Sequence, residues 1–317
     1  MNYSVSMPYN DYGTWLRQRF PYKVQKISVD AGFTCPNRDG RLGTGGCIYC
    51  NNDSFNPSYC QREKSVKQQL VEGKEFFRRK YPEMRYMAYF QAFTNTYSTL
   101  DHLKSLYEEA LDVEDVVGLV IGTRPDCIDD TLLDYLTQLA RQTMVTLEYG
   151  IETANDDTLR LIRRGHDFQC VRDAVERTKG RGIVIGGHVI LGLPGEDAKE
   201  SVRQATIMSE LGLDVLKIHQ MQIIRGTRLA QMYAENPFHL YSPEEYSELI
   251  VRYLEHLSED MVVERFASQS PKEMLIAPKW GLKNYELTNL IVNKMKREGR
   301  RQGSLFVSNS LAMSRSL

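Results

Sequence analysis

Short runs of β-branched and aromatic residues alternate along the chain with longer stretches whose apolar positions recur at helical spacing. Runs at 24–30, 85–91, 116–123, 145–151, 183–191 and 215–218 predict six strands. Leu132, Leu133, Leu136, Leu139 and Ala140 place one apolar face on a helix beginning near Asp129, and Val66, Leu70 and Phe77 do the same more loosely. The near-continuous apolar run at 116–121 suits a strand covered on both faces, and strands separated by helices favour parallel pairing through right-handed crossovers. The predicted fold is therefore α/β, a parallel (β/α)6 barrel, complete or partial. After the sixth strand, Ser242-Pro243-Glu244-Glu245 reads as a capping box opening a helix to about residue 257, and Val262, Val263 and Phe266 as one more short strand. The expected domains are a barrel with its N-terminal extension at 1–225, a C-terminal α/β extension at 226–303, and a disordered Ser-rich tail at 304–317.

Composition narrows the function classes. Forty Lys and Arg against 41 Asp and Glu leave a formal charge of -1, which excludes a polycation held to nucleic acid by bulk charge but not a local basic patch. Six cysteines in 317 residues do not make a disulfide scaffold. Residues 1–11 carry neither a charged leader nor an apolar stretch, and no apolar run approaches the roughly 18 residues that span a bilayer. A cytoplasmic chain with reduced thiols and no membrane partner is expected.

The candidate chemistry lies in the glycine-rich loop CPNRDGRLGTGGCIYC, where Cys35, Cys47 and Cys50 are separated by eleven and then two residues. The short second step lets two thiolates reach one centre, and no fourth ligand accompanies them. Spacing alone leaves three readings open: an iron-sulfur cluster with one open iron, a zinc site completed by a distant ligand, or reactive thiols. Cys60, Cys127 and Cys170 are scattered and read as buried bystanders. In GIVIGGHVILGLPGE a strand ends in Gly192-Leu193-Pro194-Gly195, a turn that permits close approach of a ligand or simply connects two elements. Dinucleotide-binding and phosphate-loop glycine patterns are absent. In LEYGIET, Glu148 and Glu152 stand an even number apart, so both project to one strand face at a barrel mouth, or end in solvent. His102, His166 and His219 read as structural.

Together these motifs resemble the radical SAM superfamily and, within it, the YtqA/YhcC (MnmL) family related to elongator-type enzymes. The resemblance rests on FTCPNRDG and GGCIYC, AYFQAFTNTY, VIGTRPDC, LEYGIET, RRGHDF and GHVILGLPGE, with further similarity in IHQMQIIRGT and LIAP. It implies that Cys35, Cys47 and Cys50 ligate a 4Fe-4S cluster and that S-adenosyl-L-methionine fills the open iron. Tyr49 would then pack near the adenine, Glu148 and Glu152 lie where a ribose- or methionine-contacting group sits, Arg164 where a carboxylate partner sits, and His188 where a polar residue points at the cofactor. Two departures stand out. The first two cysteines are eleven residues apart instead of three, as in the family itself, and Phe90-Gln91-Ala92-Phe93-Thr94 replaces the usual glycine pair after the second strand, which makes Gln91 a candidate only.

The implied reaction is reductive cleavage of S-adenosylmethionine to a 5'-deoxyadenosyl radical, and the implied substrate is tRNA, whose wobble-uridine 5-carboxymethylaminomethyl side chain would be converted to the aminomethyl form. Implied partners are a one-electron reductant such as flavodoxin or ferredoxin and a methyltransferase acting next. Independent support for RNA lies in the basic groups Arg17, Arg19, Lys23 and Lys26, Arg78, Arg79 and Lys80, and Lys294, Lys296, Arg297, Arg300 and Arg301, which grip phosphates or are solvated helix faces. Tyr3, Tyr9, Tyr12 and Trp15 either stack on exposed bases or plug the barrel bottom. Two alternatives remain: a radical SAM enzyme on a small molecule such as a porphyrinogen, and a zinc-containing RNA-binding module without activity.

Overall fold

A computed structural model gives the fold and describes residues 7–54, 56–78 and 83–308. Tyr3, Arg79, Lys80 and the tail from residue 309 onward lie outside the described residues. All six predicted strands form: β1 (Val24–Val29), β2 (Arg85–Phe90), β3 (Val116–Thr123), β4 (Met144–Glu152), β5 (Val184–Leu191) and β6 (Val215–Gln220). Between them run α1 (Tyr12–Arg17, before β1), α2 (Val66–Arg78), α3 (Leu100–Leu111), α4 (Asp130–Ala140), α5 (Asp156–Leu161), α6 (Phe168–Thr178) and α7 (Ala198–Leu211). After β6 come β7 (Ile223–Ile224), α8 (Arg228–Glu235), α9 (Pro243–Glu255), β8 (Val262–Arg265), β9 (Leu275–Ala277) and α10 (Asn284–Glu298).

One seven-stranded sheet runs in the order β1-β2-β3-β4-β5-β6-β8. The pairs β1 with β2, β2 with β3, β3 with β4 and β6 with β8 are parallel. Sequential order with a helix before each next strand is the topology that repeated crossovers of one hand produce. The strand expected at Val262 and Val263 thus joins the main sheet as its seventh member, because both valines are buried there. Strands β7 and β9 pair antiparallel; they are too short for periodicity to reveal.

The chain divides into two compact units, Leu16–His188 and Met1–Trp15 with Val189–Leu317. The break falls inside β5, not near residue 225, since α7 packs on α9 and α9 on α10, tying everything after β5 to the C-terminal helices. In the Leu16–His188 unit, Leu16, Phe20, Val24 and Met144 close over buried Met87, Tyr89 and Val120. In the other unit Tyr12 stacks on Trp15 at 5.4 Å and Tyr9 meets Phe266 edge-on at 4.9 Å. These contacts engage the N-terminal aromatics in packing, with Trp15 buried and Tyr9 and Tyr12 half-buried. Residues 304–308, expected in a disordered tail, are held instead, with the Leu305 amide donating to the Glu255 carbonyl at 2.8 Å.

Caps set the helix boundaries. The Asp129 carboxylate accepts from the Leu132 amide at 2.8 Å, and Leu132, Leu133 and Leu136 bury the face that the spacing predicts, each burial contributing about 2 kcal/mol. Ser242 and Glu245 complete the capping box of α9. Among the described residues no helix is long and apolar enough to cross a membrane.

Gly118 carries the register of β3 on β4, since a Cβ there would lie 2.5 Å from the Met144 carbonyl oxygen. That neighbour is backbone in a paired strand and cannot rotate away. Gly118→Ala should therefore cost about 1–3 kcal/mol by overpacking, read as a lowered urea midpoint at unchanged m-value; an unshifted midpoint would show that the strands part without cost.

Candidate active site at the cysteine loop

The loop after β1 is folded by its own backbone. The amides of Arg38 and Asp39 donate to the Cys35 carbonyl at 2.7 and 3.2 Å, Gly46 to Asn37 at 2.8 Å, and Cys50 to Cys47 at 3.0 Å. Donors converge on the sulfurs: Asn37 Nδ2 on Cys47 Sγ at 3.5 Å, Arg164 Nη1 on the same sulfur at 3.7 Å, and Asn52 Nδ2 on Cys50 Sγ at 3.8 Å. Burial, then the Cys47 sulfur, push the Cys50 thiol up to about 11, with Arg38 pulling the other way. A thiol so placed becomes a thiolate when a metal displaces its proton. Among the described residues no three His, Cys, Asp or Glu side chains converge closely enough to hold a single metal ion. Three sulfurs without a fourth ligand, ringed by cations and amide donors, fit a larger cluster with one open position.

Arg164 ties this loop to β4. It is buried, which removes the solvated-helix alternative. Its Nη2 donates to the Gly150 carbonyl at 2.6 Å and stands 3.5 Å from Glu152 Oε1. Gly150 is glycine for a reason of space, because a Cβ would fall within the guanidinium. Burial first, then Glu152 and Cys47, raise the Tyr49 phenol well above its ordinary value, so Tyr49, Glu152 and Arg164 form one group beside Cys47. The segment carrying Arg164 is pinned from two sides: Asn37 Nδ2 donates to the carbonyls of Arg163 and Arg164 at 3.0 Å each, and Arg124 Nη1 to that of Arg164 at 2.8 Å. Arg124 is itself fixed by a two-point pair with Asp126, both contacts at 2.8 Å. Amid these partners Arg164 Nε is buried without a hydrogen bond, an unusual state for a charged donor that a bound anionic group would relieve.

Glu148 takes a different course from Glu152, although both sit on β4. Lys26 Nζ on β1 donates to Glu148 Oε1 at 2.7 Å, and His188 Nε2 on β5 donates to Oε2 at 2.8 Å. Lys26 is therefore part of a buried ionic trio, not of a phosphate-gripping surface. Glu152 is at left-handed φ of 69°, which turns it from the strand face that Glu148 keeps. Gln91 accepts from Ser28 Oγ at 3.2 Å, and Phe93, at φ 65°, has its amide on Asn52 Oδ1 at 3.2 Å. In the other unit, Gly192 at φ 87° lies against the Tyr241 ring and helps wall a cavity of about 820 Å3 with Pro194, Glu196, Phe238 and His239.

The sequence profile of the Radical SAM superfamily matches residues 37–203, and that of the Radical_SAM C-terminal domain residues 213–297. The protein YtqA of Bacillus subtilis (strain 168) is 34% identical over 298 residues, 94% of this chain and 92% of its own length. The chain belongs to the radical SAM superfamily. Another relative, the tRNA uridine(34) acetyltransferase of Methanocaldococcus infernus, is 26% identical over 58% of this chain and 34% of its own length. The solved structure of the archaeal Methanocaldococcus infernus Elp3 aligns with TM-score 0.66 at 17% identity, over 89% of this chain and 64% of that one. The fold is the partial barrel of radical SAM proteins, whose cofactors are a 4Fe-4S cluster and S-adenosylmethionine.

Several groups packed around the sulfurs and Arg164 escape the sequence reading: Asn37, Arg38, Asn52 and Arg124. All but Arg124 lie in or next to the cysteine loop, a proximity that is the available signal. The basic segment of α10 changes meaning, since Lys294 pairs with Glu248 at 2.9 Å and Arg300 with Glu255 at 2.7 Å and Glu248 at 3.0 Å. Those charges are committed to α9. Cys60 is buried and its thiol is pushed up to about 12, by burial and then Asp30, with none of the loop sulfurs acting on it. Replacing Cys47 or Cys50 by Ala should remove the visible charge-transfer absorbance of a reconstituted cysteinyl iron-sulfur cluster, while Cys60→Ala retains it; loss in all three alike would refute the ligand assignment.

His166 supplies a pH handle. Burial, then the Arg164 cation, hold its imidazole down at about 4, and Nε2 is buried without a partner. An unfolded histidine takes up its proton near 6.5, so between that pH and about 4 the unfolded chain binds more protons and stability falls on acidification, by up to about 3 kcal/mol. Urea midpoints of the cluster-free protein at pH 7 and 4.5 should separate more than those of His166→Gln, and equal separations would exclude the imidazole as the cause.

Proposed function

We propose that the chain is a radical SAM enzyme acting on tRNA, converting the 5-carboxymethylaminomethyl side chain of the wobble uridine to the aminomethyl form. What carries the radical chemistry is the loop of Cys35, Cys47 and Cys50 with the buried, unsatisfied Arg164 Nε beside it. The three cysteines would hold the cluster, and Arg164 would receive the methionine carboxylate of the cosubstrate, with Tyr49 and Glu152 alongside. With both bound, the site has a source of a primary carbon radical that takes a hydrogen atom from an unactivated C–H bond.

The chain's own groups orient and shield. Asn37 and Arg124 fix the backbone that carries Arg164, so the guanidinium is held before any ligand arrives. Lys26 and the His188 ring both bond Glu148, so its buried carboxylate is not left unpaired. His188 then offers its ring, and Glu148 its acceptor, to a polar group of cosubstrate or substrate. Support for tRNA comes from the relative named for acting on tRNA uridine 34, and from exposed Arg41 and Arg163 on the two segments that border the sulfurs, where phosphates would be gripped without base specificity. A one-electron carrier would supply the reducing equivalent.

Anaerobic reconstitution, reduction, and mass-spectrometric assay for 5'-deoxyadenosine with and without tRNA bearing the modified uridine test both halves. Product that rises with that tRNA is expected. Product indifferent to tRNA would keep the radical chemistry and move the substrate to a small molecule, and its absence from iron-loaded protein would remove the reading altogether.

A further inference from the structure

One charged group in the cysteine loop is used by none of these contacts. Arg38 lies between the first and second loop cysteines, and its side chain reaches back to the third: its amide donates to the Cys35 carbonyl at 2.7 Å, and its Nη2 to the Cys50 carbonyl at 2.8 Å. The guanidinium lies 5.8 Å over the Phe93 ring. Space for it is set by backbone, since Gly46 sits at φ 79° and a Cβ there would lie 2.9 Å from Arg38 Nε. Through its side-chain bond to Cys50 and its amide bond to Cys35, Arg38 is fixed to the loop segments that carry the first and third cysteines. Among the described residues no carboxylate pairs with it. Arg164, the other guanidinium at the sulfurs, has Glu152 at 3.5 Å to offset its charge.

We propose that Arg38 is a fixed positive charge that sets the reduction potential of the cluster held by Cys35, Cys47 and Cys50, raising it into the range of a one-electron carrier. Reduction adds one electron to a centre already carrying three thiolates, so a permanent cation beside the sulfurs stabilises the reduced form more than the oxidised one. Arg38 is half-buried, so water screens that difference less than it would at an open surface. An arginine suits the task because it stays protonated at any working pH and holds a fixed fork to a carbonyl. The inference rests on the reading that the three thiolates bind a cluster.

The test is a potentiometric titration of the reconstituted full-length protein, followed by the electron paramagnetic resonance signal of the reduced cluster, with iron counted in each sample. Arg38→Gln should keep its iron and titrate at a more negative potential. A tenfold lower ratio of reduced to oxidised cluster at a fixed donor potential is the expected effect, equal to about 59 mV for one electron. Arg38→Lys should remain near the wild type. An unchanged potential in Arg38→Gln, or an equal fall in Arg38→Lys and Arg38→Gln, overturns the proposal. Should Arg38→Gln fail to load, Arg38→His replaces it: its potential must rise on acidification through about pH 6.5 beyond the wild type's own slope, and a parallel slope overturns the proposal. A wild-type chain that assembles no cluster overturns the parent reading and this one with it, whereas loaded proteins of equal potential overturn this one alone.

Discussion

Three sulfurs brought onto one partly buried loop repel one another as soon as they ionise, and the surrounding residues are arranged against that repulsion. Burial and the neighbouring Cys47 sulfur push the Cys50 thiol up, while Arg38 opposes them. The compensation comes from two guanidiniums and two amides. Arg38 and Asn37 belong to the loop itself, Asn52 follows it, and Arg164 arrives from the segment after α5. Each donor is held by a second contact, so the positive potential precedes any ligand and does not have to be assembled on binding.

Bringing Arg164 to Cys47 imposes its own demands. A guanidinium crossing β4 needs a strand position without a Cβ, and Gly150 supplies it. Its backbone needs acceptors satisfied at the same time, and Asn37 and Arg124 do this from two different segments. Farther into the strands the same economy appears in Lys26, Glu148 and His188. A lone buried carboxylate would be strongly disfavoured, but one that accepts from an ammonium and an imidazole loses little. Removing the Lys26 ammonium would leave Glu148 buried with its charge met only by the His188 ring, so the three side chains depend on one another.

Sequence periodicity reveals what depends on neighbours in the chain. The strands β1 to β6, the apolar face of α4, its Asp129 cap and the capping box of α9 are all local patterns, and the cysteine spacing is local too. What spacing cannot show is which distant groups meet. Lys26 reads as one more basic residue because Glu148 is 122 positions away, and the cations of α10 read as a surface patch because Glu248 and Glu255 lie on another helix. Glu148 and Glu152 share a face in an ideal strand, but the left-handed turn at Glu152 separates them. Strands β7 and β9, of two and three residues, carry no periodicity at all.

These pairings also bear on where RNA would touch a chain whose formal charge is -1. Counterion release rewards only cations that give up water or salt, not those already neutralised by a carboxylate. That condition fails for Lys294 on α10 and for Arg300 just beyond its end, which would have to break contacts with Glu248 and Glu255 before meeting a phosphate. Arg41 and Arg163 are different. Arg41 rests over the Tyr97 ring at 5.6 Å with its guanidinium exposed, and Arg163 is exposed at φ 55°, next to the residue whose side chain enters the site. Phosphates held there would bring a polynucleotide to the rim of the cysteine loop, so affinity and reach toward the reacting centre would come from the same few charges.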